Sequence, residues 1–390
     1  MAAAVTLAAR GVPVTVFESG PVPGGRARRV TTEGRELDNG QHILIGAYSE
    51  LLRLMKLVGV PAEALLRMPL EMRYADGFRL RGALDLLFSR RIPFRERVDA
   101  VRFMMALKKN SFRLPEDITV HALLRQYRQN GVIGHYVWRP LCISALNTPP
   151  EQASAQVFAT VLRDSVAGPA GASDLLLPRV DLSRLFPEPA CEFVARHGGE
   201  VRMNAPVREL AELRKEFGAL IVAVGPHQLK ALLPGLGPEY GYQPIYTCYL
   251  QYSEQVRLPF AMLGFSAGLV QWAFDRAAIS GELRDERGLI ACVISAQGDH
   301  QQMTQEELAA TCHRELKGAI RGLPDPQWTR VIAEKRATIA CVSGMKKLDF
   351  RNKEQGLFLA GDYLDPDYPP TLEAAVRSGV RAADAITRSN

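Results

Sequence analysis

Leu357–Ala360 is a short apolar run that stops at Gly361-Asp362, and beyond it Leu372, Ala375, Val376, Gly379, Val380, Ala383 and Ile386 recur at helical spacing. A run of this kind ending at a glycine reads as a buried strand, and the recurrence predicts a helix with one apolar face opened by Thr371. The pair is the closing unit of an α/β sheet. Its helix N-terminus carries orphan N–H groups and partial positive charge, which favours an anionic ligand. The small residues Ala374, Ala375 and Gly379 let a flat cofactor or another backbone approach closely. On spacing alone, an ordinary closing helix explains the segment equally well.

The beginning of the chain supplies a second α/β unit. Met1–Arg10 is an alanine-rich helix ended by Gly11, and Val12–Phe17 is a β-rich run with Glu18 at its C-terminal end. A carboxylate there is where a dinucleotide fold hydrogen-bonds the ribose of an adenosine. Gly24-Gly25-Arg26 follows, glycines for close backbone approach to phosphate and a guanidinium for charge-assisted bonds. A Rossmann unit begins one strand earlier, with a G-x-G-x-x-G turn before its first helix. This sequence opens inside that helix, at Met1-Ala2-Ala3-Ala4, so the expectation is a truncated frame of a longer protein, lacking the main pyrophosphate cradle.

Leu37–Gly46 (LDNGQHILIG) reads as a loop entering a strand beside a ligand, although His42 taken alone reads as a satisfied structural histidine. Residues 60–175 carry several helical patterns and few strand signals. Ala205–Leu210 and Ala219–Val224 read as strands, the second buried. From about 236 the pattern turns β-rich, with runs at Ile245–Tyr252, Phe260–Phe265, Leu269–Phe274 and Leu289–Ser295, then a helix over Gln305–Arg321.

The chain of 390 residues, 47% hydrophobic and 23% charged, is long enough for two domains. It has no apolar run of about 18 residues and no signal-peptide pattern. Six scattered cysteines without a CxxC pair suit a reducing cytoplasm, and neither they nor the seven histidines have metal-ligand spacing, so no metal is expected. Arg90–Arg113 holds eight basic residues against two acidic ones, an excess equal to the chain's whole net charge of +6. Phe94, Val98, Val101, Met105 and Phe112 fall close to one helix face, with Phe103, Met104 and Leu107 widening it. A basic amphipathic helix reads as a membrane-surface element or a nucleic-acid patch, against a plain solvated helix. No nucleic-acid motif accompanies it, so peripheral membrane contact is the better functional reading.

Several strings together resemble one family: VPVTVFESGPVPGGRARRV, LDNGQHILIGAY, WRPLCISALNTPPEQASAQVFATVLRD, LLLPRVDLSRLFPEPA and the C-terminal LAGD…TLEAAVRSGVRAA. They are similar to the hydroxysqualene dehydroxylases, squalene-associated desaturases of hopanoid biosynthesis within the FAD-dependent amine oxidase and phytoene desaturase superfamily. The resemblance implies an α/β fold. It has a Rossmann-like FAD-binding domain (1–60, 175–235 and 355–390) and an α+β substrate domain (61–174 and 236–354). Carried over by position, Glu18 would hold the adenosine ribose, and Gly24, Gly25 and Arg26 would line the pyrophosphate and flavin side. Asn39, Gly40, Gln41 and His42 would lie near the isoalloxazine, and Val207 near the adenine. Gly361, Asp362, Thr371, Leu372 and Glu373 would contact the ribityl chain and ring.

The implied reaction reduces hydroxysqualene, an isoprenoid lipid, to squalene and water. It needs an acid for the leaving hydroxyl, with His42 preferred over Tyr363 and Asp367, and aromatic faces for an allylic cation, drawn from Tyr246, Tyr249, Trp272 and Phe274. A carotenoid desaturase or amine oxidase running in the oxidative direction shares the same plan, and a cofactor-free chain without activity is a third reading.

Overall fold

Two pairs of parallel strands form one side of the protein. The computed structural model describes residues 1–346, 348–350, 356–365 and 367–389; the domain limit at 354/355 and Asn390 lie outside the described residues. Thr15–Phe17 runs beside Glu200–Arg202, and Leu220–Val222 beside Leu357–Leu359. Among the described residues the two pairs are separate sheets. Helices Ala2–Ala8, Ser49–Leu57, Pro187–Arg196 and Leu372–Ser389 share one core through Val5, Leu54, Val194 and Val376. The C-terminal helix is buried more widely than a single stripe. Glu373 and Ser378 are inside as well, while Leu372 and Ala375 are only half-buried.

The other side is an antiparallel sheet in the order Met262–Gly264, Trp272–Asp275, Leu289–Ser295, Tyr242–Gln251, Trp328–Ile339. Alternation along these strands sends side chains to opposite faces. Tyr246, Cys248, Leu250 and Ala273 pack with Leu308, Cys312 and Leu316 of helix Gln305–Ala319. Tyr249, Trp272, Phe274 and Val293 face a helical layer containing Phe103, Leu123, Trp138 and Phe158. Helix Arg139–Leu146 stops at Asn147, which is left-handed at φ 46°. The Asn147 amide then ties this layer to the sheet, donating to Thr338 Oγ1 at 3.0 Å and accepting from the Ala296 N–H at 2.8 Å.

The structure departs from the sequence reading in three places. Ala205–Leu210 is irregular rather than a strand; Pro206, Arg208 and Glu209 are exposed, and among the described residues no strand pairs with it. Strands Leu65–Met68, Glu71–Arg73 and Arg79–Arg81 appear where helices dominate the pattern. They are too short to show a period, and the last two are joined by ion pairs of Glu71 with Arg79 and Arg81. Leu65–Met68 also pairs with Leu175–Pro178, which pairs with Leu44–Ile45, so this small sheet spans the domain limits drawn at 60/61 and 174/175. Third, the basic helix spans Phe94–Lys109, and Phe112 lies beyond its end, buried. Phe103 and Leu107 point into the core, away from Phe94 and Met105.

Gly46 closes the Leu44–Ile45 strand, and a Cβ there would collide with the Gly171 carbonyl oxygen. Gly46→Ala is therefore expected to destabilise the fold by about 1–3 kcal/mol. Urea unfolding should show a lower midpoint at unchanged slope.

Candidate functional site

The Asp38–His42 loop sits between the two halves of the molecule and is held from both. Leu182 N–H donates to Asp38 Oδ1 at 2.8 Å, and the Gln41 N–H donates to Thr247 Oγ1 at 3.2 Å. Arg276, 1% exposed, donates from Nη1 to Gln41 Oε1 at 2.8 Å and pairs with Glu286 Oε2 at 3.1 Å and Asp38 Oδ2 at 3.8 Å. Arg284 bridges the same two carboxylates, at 3.3 Å to Asp38 and 3.2 Å to Glu286. Burial pushes the Asp38 carboxyl up, and the two guanidiniums oppose that shift.

His42 lies at the end of this loop. Its Nδ1 is 2.9 Å from the Gly40 carbonyl oxygen. That oxygen only accepts, so Nδ1 carries the proton and Nε2 is the nitrogen left to meet a ligand. Burial pushes the imidazole pKa below its ordinary value, with the Gly40 bond and Asp38 opposing and Arg26 reinforcing. The other two candidate acids are engaged elsewhere. Tyr363 donates to the Val224 carbonyl at 3.1 Å, and burial pushes its pKa up. Asp367 is ion-paired with Arg113. Tyr249, Trp272 and Phe274 share the sheet face that carries Thr247, whereas Tyr246 is on the opposite face, against His300.

Residues from the chain's two ends meet beside this loop. Arg26 Nη2 is 2.8 Å from Asp362 Oδ2, and its Nη1 donates to the Ala337 carbonyl at 2.5 Å. Asn39 Nδ2 donates to the Arg26 carbonyl at 3.1 Å and to Glu334 Oε2 at 3.3 Å. Gly24 has φ +116°, and a Cβ would come within 2.5 Å of the Ala27 carbonyl oxygen, so the turn demands glycine here. At Gly25, with φ +62°, a Cβ would point into open space. Glu18 follows the Thr15–Phe17 strand. Its Oε1 accepts from the Gly20 N–H at 2.7 Å, and its backbone carbonyl accepts from Ala205 N–H at 2.8 Å, two residues before the half-buried Val207.

Gly361 N–H donates to Ser378 Oγ at 2.8 Å, locking the strand end to the C-terminal helix. Thr371 caps that helix by accepting from Ala374 N–H at 3.2 Å, beside the half-buried Leu372. The Glu373 carboxylate, in contrast, is fully buried and used internally. It accepts from the Glu50 and Leu51 N–H groups at 3.1 and 2.9 Å, capping helix Ser49–Leu57, and from Arg377 Nε at 2.7 Å. The whole residue is buried, so its part here is to hold the wall.

Chemically, this donor set fits a flat, anionic, ribose-bearing cofactor. It offers a glycine turn with open space beside it, a guanidinium, a carboxylate after a parallel strand, and a capped helix start. Arg276, Thr247 and Glu334 were not found from the sequence. An arginine within WAFDRAAIS has no spacing signal that would set it apart from a surface charge.

The chain belongs to the flavin containing amine oxidoreductase family, whose profile matches residues 1–387. It is a flavin-dependent oxidoreductase. More particularly, it is similar to the hydroxysqualene dehydroxylase of Rhodopseudomonas palustris, 29% identical with 99% of this chain and 95% of that one covered. The hydroxysqualene dehydroxylase of Sinorhizobium fredii is 27% identical, with 100% and 96% covered. In fold it is similar to an oxidoreductase from Methanosarcina mazei, with a TM-score of 0.74, 13% identity, and 98% and 97% of the two chains covered.

Arg276→Met would leave Asp38 and Glu286 sharing Arg284 alone. Removing one partner from a buried charge cluster costs about 3–5 kcal/mol, so a marked drop in unfolding midpoint is expected. Glu373→Ala should also lower stability, by about 1–3 kcal/mol or more for the unpaired N–H groups and Arg377. Calorimetry on both variants checks this.

Proposed function

We propose that the protein uses FAD to reduce hydroxysqualene to squalene, releasing water. The observation that carries this is the match, over nearly all of both chains, to relatives bearing that one activity in their names. The geometry supports it through the titratable ring of His42 and through Tyr249, whose hydroxyl donates to the Asp38 carbonyl at 3.1 Å on the sheet face shared with Trp272 and Phe274.

The hydroxyl must leave as water, because hydroxide is a poor leaving group. His42 is the proton donor in this reading. Its Nδ1–H bond to Gly40 fixes the ring, and Nε2 delivers the proton to the substrate oxygen. The Arg276–Gln41 and Thr247–Gln41 bonds hold the loop that carries it. Tyr249, Trp272 and Phe274 form an aromatic sheet face against which an allylic cation is stabilised and from which water is excluded. Reduced flavin, when bound, supplies the hydride that takes the place of the lost hydroxyl. Glu18, Gly24, Gly25 and Arg26 would hold the ribose and phosphate end. Asn39, Gly40, Gly361, Asp362 and the helix start at Thr371 and Leu372 would hold the ring and ribityl part, with the buried Glu373 fixing that helix start and Val207 near the adenine.

The sign of the pH dependence follows from His42. Donation requires imidazolium, and burial lowers the pKa below the ordinary value of about 6.5. The rate should therefore fall as pH rises through that lowered pKa and level off at its maximum below it, where the ring is fully protonated. The test is single-turnover oxidation of pre-reduced, flavin-loaded protein by hydroxysqualene, with squalene measured as product. His42→Gln is expected to slow it by about 10²–10⁴-fold and flatten the profile, at unchanged flavin content. A wild-type rate in that variant would remove His42 from the role, and absence of squalene from the loaded wild type would overturn the substrate assignment.

A further inference from the structure

Helix Phe94–Lys109 has two apolar faces. Ala100, Phe103 and Leu107, at i, i+3 and i+7, are buried in the core of the helical layer. Phe94, Val98, Val101 and Met105, at i, i+4, i+7 and i+11, run along the opposite side. There Phe94 is 71% and Met105 65% exposed. The surface continues into the preceding helix, Gly82–Phe88, whose last residue Phe88 is 77% exposed beside the exposed Leu87. Arg97 joins the two: it donates to the Leu87 carbonyl at 2.8 Å, and its guanidinium lies 5.4 Å from the centre of the Phe94 ring.

Single exposed apolar side chains are ordinary on a protein surface. Here five of the eight large exposed ones among the described residues fall between Leu87 and Met105. Such clustering marks an interaction site rather than chance exposure. Its rim selects the partner. Arg95, Arg102, Lys108 and Lys109 are exposed along the edges of the stripe, and Arg90 lies just before it. Among the described residues Arg90, Arg95, Lys108 and Lys109 have no ion-pair partner, while Arg102 pairs with Asp99 and Arg113 with Asp367. A protein or nucleic acid could meet the charge, but neither explains bulky apolar side chains projecting between the cations as well as an interface with apolar depth below an anionic surface does. No helix among the described residues is long and apolar enough to cross a membrane, so contact through this segment would lie in the interface plane.

We infer that the Leu87–Lys109 surface docks on an anionic lipid bilayer, with Phe88, Phe94 and Met105 entering the acyl boundary and the arginines and lysines at the headgroups. The inference is independent of which substrate the enzyme reduces.

The experiment is flotation of the full chain with phosphatidylcholine vesicles, with and without phosphatidylglycerol, across a salt series. Two variants accompany it: Phe88→Ser/Phe94→Ser/Met105→Ser, and Arg95→Glu/Lys108→Glu/Lys109→Glu. All six positions are exposed, and circular dichroism and unfolding midpoints verify that both variants fold. Co-flotation is expected with phosphatidylglycerol vesicles and not with phosphatidylcholine alone, weakening as salt rises. Each variant should lose binding by about tenfold or more. Equal flotation of the charge variant would overturn the proposal. So would absence of flotation by the parent chain, whether it stays monomeric, self-associates through this face in sedimentation, or binds nucleic acid instead.

Discussion

The buried charge cluster of Asp38, Arg276, Glu286 and Arg284 joins the two halves of this protein at the point where its chemistry is expected. Four ionised groups so far out of water are costly unless each is matched, and here each guanidinium meets both carboxylates. The cluster spans the Asp38–His42 loop on one side and the segment between strands Trp272–Asp275 and Leu289–Ser295 on the other. A shift of the sheet relative to the loop would strand one of these charges. The Gln41 side chain inherits that rigidity through Arg276, and His42 follows it directly in sequence.

This arrangement ties one loop to both halves of the molecule. Leu182 and Thr247, from opposite sides of the molecule, bond the same five-residue stretch. Close by, the Arg26–Asp362 pair brings the first glycine turn to the last strand end. The C-terminal helix is anchored in the same manner, by a buried Glu373 that caps a helix far away in sequence. The polar contacts that look like ligand-binding groups in the sequence thus divide into two kinds. Some, such as the His42 Nε2, take no part in the bond that holds their own segment. Others, such as the Glu373 carboxylate and the Tyr363 hydroxyl, are consumed in holding the walls.

Local pattern carried the larger elements. The strand Leu289–Ser295 lies where its apolar run begins and ends, and helix Gln305–Ala319 starts at the expected Gln305, capped by Thr304, and ends two residues short of Arg321. The strand–turn–helix at the C-terminus and the strand–Glu18–glycine turn at the start were legible for the same reason: propensity, period and glycine conformation act over a few residues. Three-residue strands such as Glu71–Arg73 were not, because their stability comes from cross-strand ion pairs whose partners the sequence does not identify.

Ordered local strings were enough for the fold class and the family, but they did not point to Arg276, Thr247 or Glu334. Only the tertiary structure decided which side chains remain available. It placed Tyr246 on the far face of the sheet from Tyr249, engaged Asp367 with Arg113, and put Arg276 behind Gln41. It also turned Phe103 and Leu107 inward and left Phe94 and Met105 outward on one helix. The period of that helix defines two apolar stripes without saying which is buried. That choice belongs to the packing of the whole core, in which a side chain's environment is set by residues distant in the chain.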